Sequence, residues 1–530
     1  MKTLYLRPDV QAEPLFDGWY AWAYLIPPAT AARNITERHL RIMDSYISAP
    51  HLHASAVKNP KLLGGPFIDY GGGRVEEVRQ LREQTMSSRS KLIALSGALN
   101  TLDEMLATKA DGYSLQPLYQ EVPPVLRGYV ELVYDLNNHP SFRLLESLLY
   151  RSEFYDRSAQ TVLLSPAARD QRPFVLSTPR LDASDGVHLS VPFNHQIVDA
   201  LFRLKREPRS WDEILDMFAD AGHEKLPTLD QFFTSDPPTP YAPYEGHGVR
   251  WRYFGHACIL IETKGLSILF DPVISYTYPS PLRRYTYDDL PERLDYVVIT
   301  HNHQDHILFE TLLQLRHKVR NIVVPRNGGG TLQDPSVKLL LSNTGFANVV
   351  ELAEFEQIDT PSGSIVGLPF LGEHADLNVQ SKLAYLVRIG KRQLLFAADS
   401  CNIEPVLYEH VHRCIGDVDV VFLGMECDGA PLSWLYGPLL SKRLDRSKDQ
   451  SRRLSGSNFE QAYDIVRRFR CKYAYVYAMG QEPWLNHVMS IKYSSESRPI
   501  TESTRLVEEC RKQGLEAERL FGEKEILLPN

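Results

Sequence analysis

The sequence predicts an α/β protein in two parts, a mixed α/β N-terminal domain followed by a sandwich of two facing sheets flanked by helices. Three observations predict it. The chain has 530 residues, more than one hydrophobic core accommodates. The stretch Thr234–Pro243 places four Pro in residues 237–243, a stiff extended connector that sets a boundary between residues 1–240 and 241–530. Beyond it, short apolar runs alternate with helical patterns, the texture of sheets covered by helices.

Taken in order, Gly18–Ile26 is aromatic and apolar, flanked by Asp17 and Pro27, and reads as a core or interface strand. It lacks the basic start and small-residue cleavage site of a signal peptide. Residues 75–106 carry helical periodicity, and residues 191–222 read as two helices joined by residues 205–210. Ser210 and Glu213 have capping-box spacing at the start of the second. Asp212, Glu213 and Asp216 on that helix argue against a DNA groove, so the pair is read as a packing or dimerisation element. In the second part, residues 258–263 and 266–272, turned by Lys264-Gly265, read as a hairpin. Further strands are expected at residues 296–300, 322–324, 365–368, 383–389, 394–398, 418–423 and 473–478. Helices are expected at 307–315, 403–414 and 459–469.

Bulk properties narrow the function. A net charge of -8 gives no electrostatic case for nucleic acid. No apolar run approaches the ~20 residues of a membrane span. The six Cys, all from Cys258 onward, form no CxxC pair, so they read as reduced, mostly buried thiols of a cytoplasmic protein.

The strongest chemical signal is His301-Asn302-His303-Gln304-Asp305-His306, between an apolar strand and a helix. Three His in six residues, out of 17 in the chain, mark a metal site at a strand's carboxyl end. In an extended segment, period 2 puts His301 and His303 on one side, within reach of one metal. Asp305 and His306 follow as the chain turns, and suit a second metal. Two adjacent metals need a bridging carboxylate, and Asp399 after the run 394–398 is the candidate. Glu373-His374 follows another strand; one of the two is expected as a ligand and the other as a supporting or solvent-facing group. His487 is a further candidate, either as a ligand or as a group supporting one. His256 reads as a packed hairpin residue close to the site. Glu426, at the end of another apolar run, is suggested as a contact to a substrate amine or as a support for the ligands. Trp434, Tyr436, Tyr475, Tyr477 and Trp484 are candidate pocket aromatics. The stretch 441–453 reads as a mobile basic loop on solvated surface, with a docking patch for an acidic carrier protein as its functional reading. Asn327-Gly328-Gly329-Gly330 lacks the Lys and Ser/Thr of a phosphate loop.

The run Phe254-Gly255-His256-Ala257, the hairpin ending Phe270-Asp271-Pro272, the loop His301–His306 and Asp399 after its strand resemble the metallo-β-lactamase superfamily over about residues 248–530. The resemblance implies an αββα sandwich with a binuclear site at the edge of its two sheets. Most hydrolytic members have a His between the His-rich loop and the bridging Asp, where this chain presents Glu373 just before His374. That residue and the long N-terminal region resemble one branch, the diiron β-hydroxylases of nonribosomal peptide and antibiotic biosynthesis. The branch implies His301, His303 and Glu373 on one iron, Asp305 and His306 on the other, and Asp399 bridging. It further implies O2 as co-substrate, an electron-donor reductase and a homodimer. The substrate implied is an aromatic amino acid held as a thioester on the phosphopantetheine of a carrier domain, hydroxylated at its β-carbon. A carboxylate in place of an imidazole makes the site harder and more anionic, which suits iron above zinc. The alternative is a binuclear zinc hydrolase of an ester, thioester or phosphodiester.

Overall fold

The computed structural model describes residues 3–223 and 229–529. Two seven-stranded sheets form the C-terminal sandwich. In the first, Leu266–Phe270, Leu294–Val298, Val319–Pro325 and Val349–Leu352 run parallel. Cys258–Thr263, Val249–Gly255 and Lys524–Leu528 extend it antiparallel. In the second, Arg392–Phe396, Val420–Gly424, Tyr473–Tyr477 and Glu516–Arg519 are parallel. Ala384–Ile389, Gly363–Leu368 and Gln357–Thr360 continue it antiparallel.

The sheets face each other through large side chains drawn from every second strand position, as a pleat with one inner face requires. Phe270 stacks on Phe396 with centroids 3.9 Å apart, and Phe396 on Phe422 at 4.8 Å. Tyr475 and Tyr477 belong to this core and not to a pocket. Helices Pro405–Ile415, Phe459–Phe469 and Arg498–Lys512 cover the outer face of the second sheet with a separate apolar cluster. Their amphipathic periodicity made two of them legible from sequence, and Phe459–Phe469 occupies the predicted span.

The first sheet is covered differently. All seven residues of helix Phe309–Leu315 are buried, and the N-terminal part closes over it. Phe193 meets Phe309 edge-on at 5.1 Å, and the Tyr276 hydroxyl donates to Glu310 at 2.5 Å and approaches the Ala12 backbone N–H at 3.1 Å. The N-terminal part contains a four-stranded sheet (Trp19–Tyr20, Val10–Phe16, Gln160–Pro166, Val187–Leu189) and helices that include Val75–Ser88 and Ser90–Lys109. The Ser210–Glu213 capping box is present on Trp211–Asp220. Two sequence expectations need correction. Only Trp19–Tyr20 of the run 18–26 is strand; residues 21–26 are buried without strand pairing, because their apolar side chains are held by packing on every side. Within residues 441–453, Arg446–Ser451 is a short helix capped by Asp445. Arg452 donates to the Ala375 carbonyl at 2.9 Å, so this end of the stretch is anchored.

Among the described residues no helix is long and apolar enough to cross a membrane. All six Cys are unpaired, and only Cys414 is exposed.

Candidate metal centre

Parallel strands of the two sheets end at one edge of the sandwich, and the connections leaving them carry the chemistry. Asp271 follows Leu266–Phe270, His301–His306 follow Leu294–Val298, Asp399 follows Arg392–Phe396 and Glu426 follows Val420–Gly424; Glu373 follows the antiparallel strand Gly363–Leu368. The backbone is strained here. His256, Asp271, Glu373 and Ala398, which precedes Asp399, all have positive φ (51°, 34°, 66° and 50°). Side chains avoid that region unless the surroundings impose it, and such strain collects at functional sites. Gly424 leaves room for a neighbour instead, since a Cβ there would collide with the Asp399 carboxylate.

Three trios of donor atoms result, each within 4.8 Å: His301, His303 and Glu373; His301, His306 and Asp399; His256, Asp305 and His306. His303 Nδ1 lies 2.5 Å from Glu373 Oε1, and His301 Nε2 lies 3.5 Å from Glu373 Oε2. His306 Nε2 is 3.0 Å from Asp399 and 3.6 Å from Asp305. Thus the structure brings together all six of His301, His303, Asp305, His306, Glu373 and Asp399. His374 packs against His303, the rings tilted by 31° with centroids 4.5 Å apart, but joins no trio. His487 is placed elsewhere. Its Nε2 is 3.9 Å from Glu310, in the interface between the two parts of the chain. The short helix Asn486–Met489 turns the imidazole toward that interface, and only Met489, two residues on, reaches the site cavity.

Hydrogen bonds fix which nitrogen each imidazole presents. Asp271 accepts from the Thr300 N–H at 2.8 Å and the Thr300 hydroxyl at 2.6 Å. With its proton so committed, the Thr300 oxygen accepts from His301 Nδ1 at 3.0 Å, leaving the His301 Nε2 lone pair free. His306 Nδ1 donates to Asp271 at 2.9 Å, which frees its Nε2 in the same way. His256 is the opposite case. Its Nδ1 accepts from the Gly480 N–H at 3.1 Å, so its Nε2 carries the proton and donates to Asp305 at 3.0 Å. His256 therefore orients Asp305. The Tyr436 hydroxyl holds His303 Nε2 at 2.9 Å. Sequence reasoning gave no supporting role to Asp271 or Thr300 and took Tyr436 only as a pocket aromatic, although an Asp-Pro at a strand end beside the His-rich loop was a signal for Asp271.

The donor set fits metal ions. His301 Nε2, Glu373 Oε2 and Asp399 Oδ1 are buried and have no hydrogen-bond partner. Asp271, Asp305, Glu373, Asp399 and Glu426 crowd one region, an arrangement that calls for cations. Burial, with Asp399 and Asp305 nearby, pushes Glu373 up to about 7 despite the opposing pull of His303. Burial opposes charge on His306, yet Asp399, Asp305 and Asp271 together raise it well above the usual imidazole value. Burial also raises Glu426 strongly, reinforced by Asp305, Asp399 and Glu373. A cavity of about 260 Å³ lies over the set, lined by His303, Asp305, Glu373, Asp399, Glu426 and Trp434.

Over 522 residues the chain is 42% identical to the 4-amino-L-phenylalanyl-[CmlP-peptidyl-carrier-protein] 3-hydroxylase of Streptomyces venezuelae, covering 97% of this chain and 98% of that one. This chain belongs to the diiron β-hydroxylase family. Residues 5–237 match the family model for the diiron non-heme beta-hydroxylase N-terminal domain, and residues 267–431 match that for a beta-lactamase superfamily domain. The crystal structure of CmlA, a diiron beta-hydroxylase from Streptomyces venezuelae, superposes with a TM-score of 0.92. Its sequence is 41% identical, with 99% of this chain and 100% of that one covered. A UPF0173 protein of Pyrococcus abyssi is 30% identical over 148 residues, 28% of this chain and 59% of its own length. As a β-hydroxylase of this family, the enzyme is an amino acid hydroxylating monooxygenase that uses a diiron cofactor.

Proposed function

We propose that this β-hydroxylase inserts one oxygen atom of O2 at the β-carbon of an aromatic amino acid held as a thioester on a nonribosomal peptide synthetase carrier domain, in antibiotic biosynthesis. The observation that carries the reading is likeness over the whole chain, N-terminal region included, to an enzyme named for such a carrier-bound substrate. A likeness to a UPF0173 metal-dependent hydrolase of Ignicoccus hospitalis favours the hydrolase reading only weakly, because it spans 11% of the chain.

In this reading His301, His303 and Glu373 would hold one iron and Asp305 and His306 the other, with Asp399 as a further ligand. The irons would supply O2 activation, and the overall reaction takes two electrons from an external reductase and two protons, placing one oxygen atom in the product and the other in water. The chain's own residues do the rest. Asp271 and Thr300 keep His301 Nε2 and His306 Nε2 aimed inward, and His256 does the same for Asp305. Glu426, half-buried beside three other carboxylates, favours a protonated amine and is assigned to the substrate's amino group. Trp434 supplies an aromatic wall to the cavity. His374 packs against His303 and stands 3.2 Å from Glu373. We further infer a division of the chain near residue 240, a homodimer formed through the N-terminal domain, and a cytoplasmic setting in which the unpaired thiols stay reduced.

Elemental analysis with an optical spectrum tests the metal. Two irons per chain and near-ultraviolet iron charge-transfer bands are expected. Two zincs in a colourless protein, with hydrolysis of thioesters, would move the enzyme to the alternative.

A further inference from the structure

The cavity over the donor set adjoins a second groove, of about 730 Å³, that shares Gly64, Pro431 and Trp434 with it. Both parts of the chain build this groove. Arg38 and Arg41 come from the N-terminal part, Arg443 and Arg446 from the basic stretch 441–453. Four arginines face two carboxylates in the lining, Glu37 and Asp449. Glu37 is paired with Arg41, and Asp449 accepts from the Ser433 N–H and hydroxyl, each at 2.8 Å. Arg443 and Arg446 are exposed at the mouth.

Arg38 is the informative residue. It is 8% exposed, and its Nη2 donates to the carbonyls of Trp434 at 2.8 Å and Leu435 at 3.1 Å. Its Nη1 has no partner. Burial pulls its pKa down to about 10, with no neighbouring carboxylate opposing. A buried guanidinium without a counter-charge is costly, and a fold that keeps one beside a groove provides for an anion. Arg38 sits on the π-helical turn Ile35–His39, an insertion often found where a helix serves a ligand. Gly64 and Trp434 stand between the two spaces. Trp434 Nε1 donates to the Gly64 carbonyl at 3.0 Å, and a Cβ on Gly64 would lie 2.8 Å from that nitrogen.

We propose that this outer groove binds the phosphodiester of a carrier's 4′-phosphopantetheine arm. Arg38 is the buried anion partner, Arg443 and Arg446 hold the mouth, and the pantetheine passes Gly64 and Trp434 toward the metal cavity. The assignment rests on the carrier-tethered substrate proposed above. Together the two spaces match the ~300–1,000 Å³ of sites that bury a flexible small molecule. The arm is long and carries its only charge at the carrier end, the same order as the groove: cations outside, an uncharged aromatic neck, donor set within.

The test uses full-length, iron-loaded enzyme and two probes, 4′-phosphopantetheine and pantetheine, followed by titration calorimetry. Wild type is expected to prefer the phosphorylated probe by about tenfold to hundredfold, the worth of a charge-assisted hydrogen bond. Arg38→Gln should remove most of that preference, and so should Arg443→Gln with Arg446→Gln, a surface pair that guards against misfolding of the buried variant. Equal binding of both probes by wild type would overturn the proposal, as would an intact preference in both variants. Inorganic phosphate competing as well as phosphopantetheine would assign the site to a free anion and overturn it too. None of these measurements needs turnover, so a negative result leaves β-hydroxylation of a carrier-bound amino acid standing. An enzyme that shows the preference yet hydroxylates no carrier-bound amino acid would support the groove and remove the proposed reaction.

Discussion

Two buried polar clusters adjoin helix Phe309–Leu315, and they are built on opposite plans. At the interface with the N-terminal part, Glu13 and Glu310 meet Arg172 and Arg180. Arg172 lies 3.1 Å from Glu13 and 3.0 Å from Glu310, and Arg180 lies 2.8 Å from Glu13. Tyr20 and Tyr276 donate to Glu310 at 2.7 and 2.5 Å. Two carboxylates face two guanidiniums, so the charges cancel within the protein. At the sheet edge, carboxylates outnumber cations and three buried donor atoms of the site have no hydrogen-bond partner. A closed network of this kind holds two parts of a chain in register, whereas an open one is waiting for something to bind. Burial alone does not tell them apart; the charge balance and the unpartnered carboxylate oxygens of Glu373 and Asp399 do.

The sharpest way to break this comparison is at the open cluster. Glu373→His should abolish β-hydroxylation while leaving metal bound, as measured by product mass and metal content. Full retained activity would make His374 the working ligand. The closed cluster should respond in stability instead. Arg172→Met leaves two buried carboxylates short of a cation and should cost about 3–5 kcal/mol, read from denaturant unfolding. Its folded fraction should keep the full iron complement; iron loss at unchanged stability would make the network part of the centre. A smaller effect is expected at the supporting carboxylate. Asp271→Asn weakens the hold on His306 and should lower metal affinity by about tenfold to hundredfold in chelator competition.

The smallest effect is on pH dependence. In metal-free protein Glu373 is pushed up to about 7 and His306 is also raised. A group raised on folding stabilises below its unfolded pKa, and that contribution is lost as pH rises through the folded value. Thermal stability of metal-free enzyme should therefore fall as pH rises from about 4.5 to 7, the span between the ordinary and raised Glu373 values. Metal affinity should rise over the same span, because both ligands must shed their protons. Calorimetry of metal-free and loaded enzyme across that span checks both signs; a parallel pH response in the two forms would count against direct metal binding by these residues.

Much of this was legible in the chain. The hairpin 258–270, the helix 459–469 and the cluster of imidazoles at 301–306 rest on local patterning, which depends on neighbours in sequence. Residue 373 could be singled out but not separated from His374, because two adjacent side chains in a loop point according to backbone angles that no local pattern dictates. The left-handed φ of Glu373 turns its carboxylate to His301 and His303 and leaves His374 packed against the His303 ring. His487 stayed open between two roles for the same reason: a lone His in a loop takes its meaning from what packs against it, here Glu310.

What the sequence determined alone was the fold class and a cluster of candidate metal ligands, since strand periodicity and a six-residue motif are local properties. Only the tertiary structure decided which imidazole nitrogens stay free, that Asp271 and His256 position the ligands, and that Arg38 lies buried without a counter-charge beside the groove. Those facts depend on partners up to hundreds of residues away, as with the 396 residues between Arg38 and Trp434. Burial, which turns a polar atom into either a bonded group or an unmet demand, exists only once the chain has folded.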